Sequence, residues 1–149
     1  MKTFITIIAT AIVLISNSTF ATTSRDAAEG KTARSKVAAI NNTLDQYTAA
    51  LAKGQVGGIE KLFTDQFQQR YNTGKNANNF NKAQVVGFLK EHKNIQQECQ
   101  TSYSIVDENK GAAIAKVEMK YETGTRVDYV TVTRDRDGYK ISQVITNWE

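Results

Sequence analysis

The hydrophobic period of this chain changes once, between His92 and Cys99, and that change constrains its fold more than any other feature. Before it, Ile40, Leu44, Tyr47 and Leu51 recur at three- and four-residue spacing, as one apolar helix face requires. "KGQVGG" interrupts with glycines, and Ile59, Leu62, Phe63 and Phe67 then resume the period, which predicts two amphipathic helices meeting at a short turn. "YNTGKNANNFN" reads as a loop, and "KAQVVGFLKEH" predicts a third, short helical face with Val85, Val86, Phe88 and Leu89. After the change, apolar and polar residues alternate: Cys99, Thr101, Tyr103 and Ile105, then Ala113, Ala115, Val117, Met119 and Tyr121. Strands over 127–133 and 139–148 follow, linked by "RDRDG", whose Asp137-Gly138 pair suits a hairpin turn with positive φ. "DENKG" and "ETG" are the other turns. Helices followed by an antiparallel meander predict an α+β fold in which N-terminal helices pack into a curved sheet.

The ends of this reading come from composition. Lys2 precedes an apolar run over residues 4–15 and small residues as far as Ala21, the pattern of a secretory signal peptide cleaved near Ala21. That run is shorter than the roughly 20 residues that cross a bilayer, so the expectation is an exported protein, periplasmic or secreted, with no membrane span after cleavage. Residues 22–36 are polar and small, either a frayed arm or a poorly packed first helix turn, and the domain is expected over 37–149. Cys99 is the only cysteine, so no intramolecular disulfide can form. Loss of Lys2 takes the formal charge from +4 to +3, without a long basic run, and a nucleic-acid partner is not expected.

The stretch "YTAALAKG", a turn and "IEKLFTDQF", with "RDGYKISQV" near the end, resembles the nuclear transport factor 2-like superfamily over 37–148. That superfamily includes ketosteroid isomerase, SnoaL-like cyclases, scytalone dehydratase and many binding proteins. The resemblance implies a cone-shaped sheet wrapped on helices. In ketosteroid isomerases the position similar to Tyr47 carries a hydrogen-bond donor to the developing enolate, and the position similar to Asp128, in "VDYVTV", carries a protonated acid. Where those enzymes place a general base, this chain has Tyr71 followed by Asn72. A phenol that titrates near 10 is a poor base at neutral pH, and Asn is none, so isomerase chemistry is disfavoured.

The residues also have plain structural roles open to them. Tyr47 lies on the Ile40, Leu44, Leu51 stripe, where a buried aromatic with a satisfied hydroxyl is the common outcome. Asp128 faces inward if Val130 and Val132 do, and outward if Tyr129 faces in. His92 reads as a solvated helix end, and Cys99 as a small hydrophobe. One His and one Cys make no metal site, and no cofactor is implied.

The function expected is therefore binding of a small, largely apolar or aromatic ligand in a cone-shaped pocket, without catalysis. Its lining would be Tyr47, Cys99, Tyr103, Val117, Met119, Tyr121, Asp128, Val130 and Val132, with Gln143 a further inward candidate. There, burial would raise the Asp128 pKa above roughly 3.9 and make it a second donor beside Tyr47. Two alternatives stand: a lyase or isomerase that polarises a carbonyl through Tyr47 and Asp128, and an interaction domain with a filled cone. The second would form a homodimer through an outer face of Tyr129, Thr131, Ser142, Val144 and Trp148.

Overall fold

The computed structural model describes residues 23–73 and 76–149, so the signal peptide read in residues 1–21 lies outside the described residues. The elements are α1 (Thr23–Lys53), a 3-10 turn (Ile59–Leu62), β1 (Phe63–Thr73), β2 (Asn76–Asn81), α2 (Lys82–Glu91), β3 (Gln100–Glu108), β4 (Ala112–Tyr121), β5 (Gly124–Asp135) and β6 (Gly138–Trp148). The strands form one open sheet in the order β2-β1-β6-β5-β4-β3. All neighbours are antiparallel except β1 and β6, which run parallel, so the sheet is mixed and not a pure antiparallel meander. Among the described residues, no helix is long and apolar enough to cross a membrane.

Helix α1 covers the polar stretch as well as the apolar stripe. From Gly30 to Ala38 only Lys36 is half-buried, and from Ile40 onward Leu44, Tyr47 and Leu51 enter the core. Gly54 ends the helix with φ of 61°, the left-handed conformation that glycine adopts without a Cβ penalty. A Cβ there would meet the backbone of Asn94, His92 and Ile95 at 2.5–2.7 Å, because the chain after α2 crosses this end and Asn94 N–H donates to Gly54 O. Helix α2 starts at a capping box, Asn81 and Gln84 exchanging side-chain bonds to each other's backbone N–H.

The predicted second helix is not one. After the 3-10 turn, Phe63 opens strand β1. Phe63 and Phe67 are both buried, and their spacing of four fits a strand face as well as a helix face, so periodicity alone could not separate the two. The expected loop is also corrected: its Asn-rich residues form β2, paired with β1 from Gln68↔Asn81 to Thr73↔Asn76. Ladder bonds to β1 override the poor strand propensity of Asn.

A register shift in β6 corrects the outer face. Val132 pairs with Ile141 but Thr131 pairs with Gln143, leaving Ser142 as an extra residue. Beyond the bulge the phase is reset. Val144, Thr146 and Trp148 stand opposite Val130, Asp128 and Arg126 on the inner face, while the exposed Gln143 faces outward opposite Thr131. Of the five residues expected outside, Val144 is fully buried and Trp148 belongs to the inner face; Tyr129 and Thr131 lie outside.

The core joins the α1 stripe and Val85, Val86 and Leu89 of α2 to Phe63, Phe67, Ala113, Ala115, Val117, Met119, Val130, Val132, Ile141 and Val144. Thr43 Oγ1 donates to Tyr139 O at 3.0 Å, which fixes α1 against β6. Gly54→Ala should cost about 1–3 kcal/mol from backbone strain, with the clash added. Gly138→Ala, where φ is 127° but nothing lies within 4 Å of the new methyl, should show backbone strain of about 1–3 kcal/mol without a clash. Urea unfolding of the two variants measures the difference.

Candidate functional site

Asp128 is buried on the face of Val130 and is the centre of a polar chain between α1 and β5. Tyr47 of α1 donates its hydroxyl to Asp128 Oδ2 at 2.8 Å. Arg126, two residues along β5 and so on the same face, donates Nε to Oδ1 at 3.1 Å and Nη2 to Oδ2 at 2.9 Å. A guanidinium gripping both oxygens makes Asp128 an acceptor for three donors. The expectation that Asp128 donates alongside Tyr47 is therefore overturned: the phenol's proton points at the carboxylate, and the outward group is Arg126.

Electrostatics follow from that geometry. Burial first, and then the negative charge of Asp128, push the Tyr47 hydroxyl well above the ordinary tyrosine value. Burial pulls Arg126 down, but Asp128 and the phenols of Tyr47 and Tyr121 outweigh it and the net shift is upward. Beside the chain, Gln69 Nε2 donates to Thr146 Oγ1 at 2.8 Å, a second buried polar pair.

The rim is aromatic. Tyr121 packs on Trp148 with ring centroids 5.4 Å apart and planes inclined 32°. The Trp148 indole N–H donates to the Tyr71 hydroxyl, and the Tyr121 hydroxyl donates to Gln97 Oε1. Burial, followed by the neighbouring Cys99, pushes the Tyr121 hydroxyl up to about 12. A cleft of about 520 Å³ opens here, lined by Glu98, Cys99, Gln100, Lys120, Tyr121 and Glu122. Another, of about 480 Å³, lies away from this chain between β1 and the start of α2, bordered by Glu60, Asp65, Lys82 and Val86.

The structure joins Tyr47 to Asp128 and places Cys99 and Tyr121 in the lining of the cleft of about 520 Å³. Val117, Met119, Val130 and Val132 are packed into the core, so the expectation that they line a pocket is corrected. Tyr103 is half-buried and donates to Asp45 Oδ1 at 2.9 Å, away from Asp128. His92 sits at the α2 C-cap, its Nδ1 2.8 Å from Phe88 O. Tyr71 holds Trp148, and Asn72 donates to Asn147 Oδ1 at 2.9 Å. Sequence reasoning missed Arg126, Gln69 and Gln97. For Arg126 a signal existed: opposite charges two apart on a strand share a face.

A family model described as "Putative lumazine-binding" matches residues 35–144. The chain belongs to this family. A search of curated proteins found no match. Among solved structures, a nuclear transport factor 2-like protein of unknown function from Silicibacter pomeroyi is similar at 14% identity and TM-score 0.67, over 78% of this chain and 98% of that one. One from Shewanella baltica, also of unknown function, is similar at 13% identity and TM-score 0.62, over 77% and 94%. One from Methylobacillus flagellatus gives 15% and 0.60, over 76% and 91%. The fold of this chain is thus the nuclear transport factor 2-like cone.

Two outcomes test the polar chain. Asp128→Ala should destabilise by about 3–5 kcal/mol by leaving Arg126 buried and unpaired, whereas Asp128→Leu combined with Arg126→Met should cost less than Asp128→Ala; denaturant unfolding compares them. The raised Tyr47 pKa favours the folded state at every pH below the unfolded value of about 10, and that contribution is lost as pH climbs through the folded value. Melting temperature should fall steeply above pH ~10, and Tyr47→Phe should flatten part of that fall while leaving the share owed to Tyr121.

Proposed function

We propose that this protein is an exported, non-catalytic binder of a small planar heteroaromatic molecule, held at the rim of the cone. The observation that carries it is the buried chain Tyr47–Asp128–Arg126 ending in a guanidinium beside the stacked Tyr121 and Trp148, next to a cleft of about 520 Å³. Lumazine is a flat pteridinedione with two carbonyl acceptors, and a cation beside aromatic walls matches both its face and its edge. The family description supports the same ligand class. Absence of catalysis is supported by what stands in the base position: Tyr71 holds an indole N–H and Asn72 an amide.

Export rests on the sequence of residues 1–21. Mass spectrometry of protein recovered outside the cytoplasm should give a mature form beginning near Thr22; an uncleaved N-terminus would defeat that part.

Binding is tested by melting the protein with lumazine. At a hundredfold excess over Kd the folded state should gain about 2.7 kcal/mol, and amide resonances of Tyr121, Arg126 and Trp148 should move while those of Glu60 and Val86 stay. No stabilisation by lumazine or by a panel of aromatic heterocycles at millimolar concentration would sink the reading. A second reading concerns the outer face, where Ile114 and Tyr129 are 38% and 41% exposed: a homodimer through that face. Light scattering that finds a monomer at tens of micromolar removes it.

A further inference from the structure

Trp148 is the residue that packing explains least. It is 48% exposed, yet three other strands engage it. Tyr71 of β1 accepts its indole N–H, Tyr121 of β4 stacks on its ring, and Arg126 of β5 stands directly opposite on the same face. The adjoining rung is closed by reciprocal backbone bonds between Thr125 and Glu149, each 2.9 Å. Gly124 lies under that rung, where a Cβ would come within 3.1 Å of Glu149 O. Fixing a half-exposed side chain costs rotamer entropy that partial burial offsets poorly. A flat ring held in one orientation is, however, preorganised for stacking.

We propose that Trp148 is the specificity-determining residue of the rim: its open indole surface, held by Tyr71, selects planar heteroaromatic ligands over aliphatic molecules of equal size. The inference rests on the rim being the ligand site. Two donors remain to read the ligand's acceptor edge. The Tyr71 hydroxyl accepts from Trp148 and keeps its own proton, and Asp128 engages Nε and Nη2 of Arg126 but not Nη1. A pteridinedione presents carbonyl oxygens in the plane of its ring, so stacking on the indole turns those oxygens edge-on to its neighbours. An aliphatic amide offers the same acceptor but no π-face.

Trp148 is the sole tryptophan, so its emission reports on this position alone. Titration of the full mature chain with lumazine should quench that emission saturably, with an affinity matched by calorimetry. Trp148→Leu should weaken lumazine about fivefold to a hundredfold, the range that one stacked base represents, and leave the weaker binding of cyclohexanecarboxamide unchanged. Trp148→Phe should recover most of the lumazine affinity. Tyr71→Phe should lower the emission anisotropy of Trp148 and weaken lumazine while circular dichroism and melting show an intact fold. If Trp148→Leu does not fold, the Trp148→Phe and Tyr71→Phe pair carries the comparison. Wild-type affinity for lumazine in Trp148→Leu, or equal losses for lumazine and cyclohexanecarboxamide, overturns the role of Trp148 and leaves the rim site standing. Failure of the unsubstituted protein to bind lumazine or any of the aromatic heterocycles defeats both.

Discussion

A carboxylate with 1% exposure inside an apolar interior is tolerable only when its charge is met, and Asp128 is met by Arg126 and Tyr47 together. Much else follows from that. The Tyr47 bond ties the C-terminal part of α1 to β5 across 81 residues of chain, and with the Thr43 bond to Tyr139 O it holds the helix in one rotation against the sheet. The same bond keeps the phenol's proton directed at the carboxylate. What the cone shows to its rim is accordingly a guanidinium.

Buried polar pairs of this kind do little for net stability compared with apolar residues of equal volume, though losing one member is severe. Gln69–Thr146 is a second such pair, while Val117 and Met119, which stand opposite Asp128 and Arg126 in the sheet, pack into the apolar core. Tyr71 accepts the Trp148 indole N–H and so holds one wall of the aromatic pair.

The fold was legible because its governing signals are local. The α1 stripe, the α2 face and the alternation in β4 and β5 survive in the structure, since each is a periodicity that burial of one face imposes. The second helix was misread because Phe63 and Phe67 are four apart, a spacing common to both periods. The β2 strand was missed because pairing, not the propensity of Asn, forms it. At the site, the approach of Tyr47 to Asp128 could be anticipated from the superfamily pattern, but the donor arrangement could not. Arg126 decides it, a residue that the sequence reading did not single out. Trp148 was placed outside because a one-residue bulge is invisible to strict alternation.

That bulge has a geometric consequence. Ser142 is the extra residue against β5, and the pairing of β1 with β6 also breaks register across the same place, where Phe63 faces Ile141 and Gln68 faces Gln143. Both neighbours of the central strand thus yield at one level, and extra twist concentrates there. The aperture of the cone is set by backbone count at this level rather than by the side chains around the opening. Loss of Ser142 would leave Val144, Thr146 and Trp148 opposite their present partners with the twist relaxed, whereas one inserted residue would turn them to the other face.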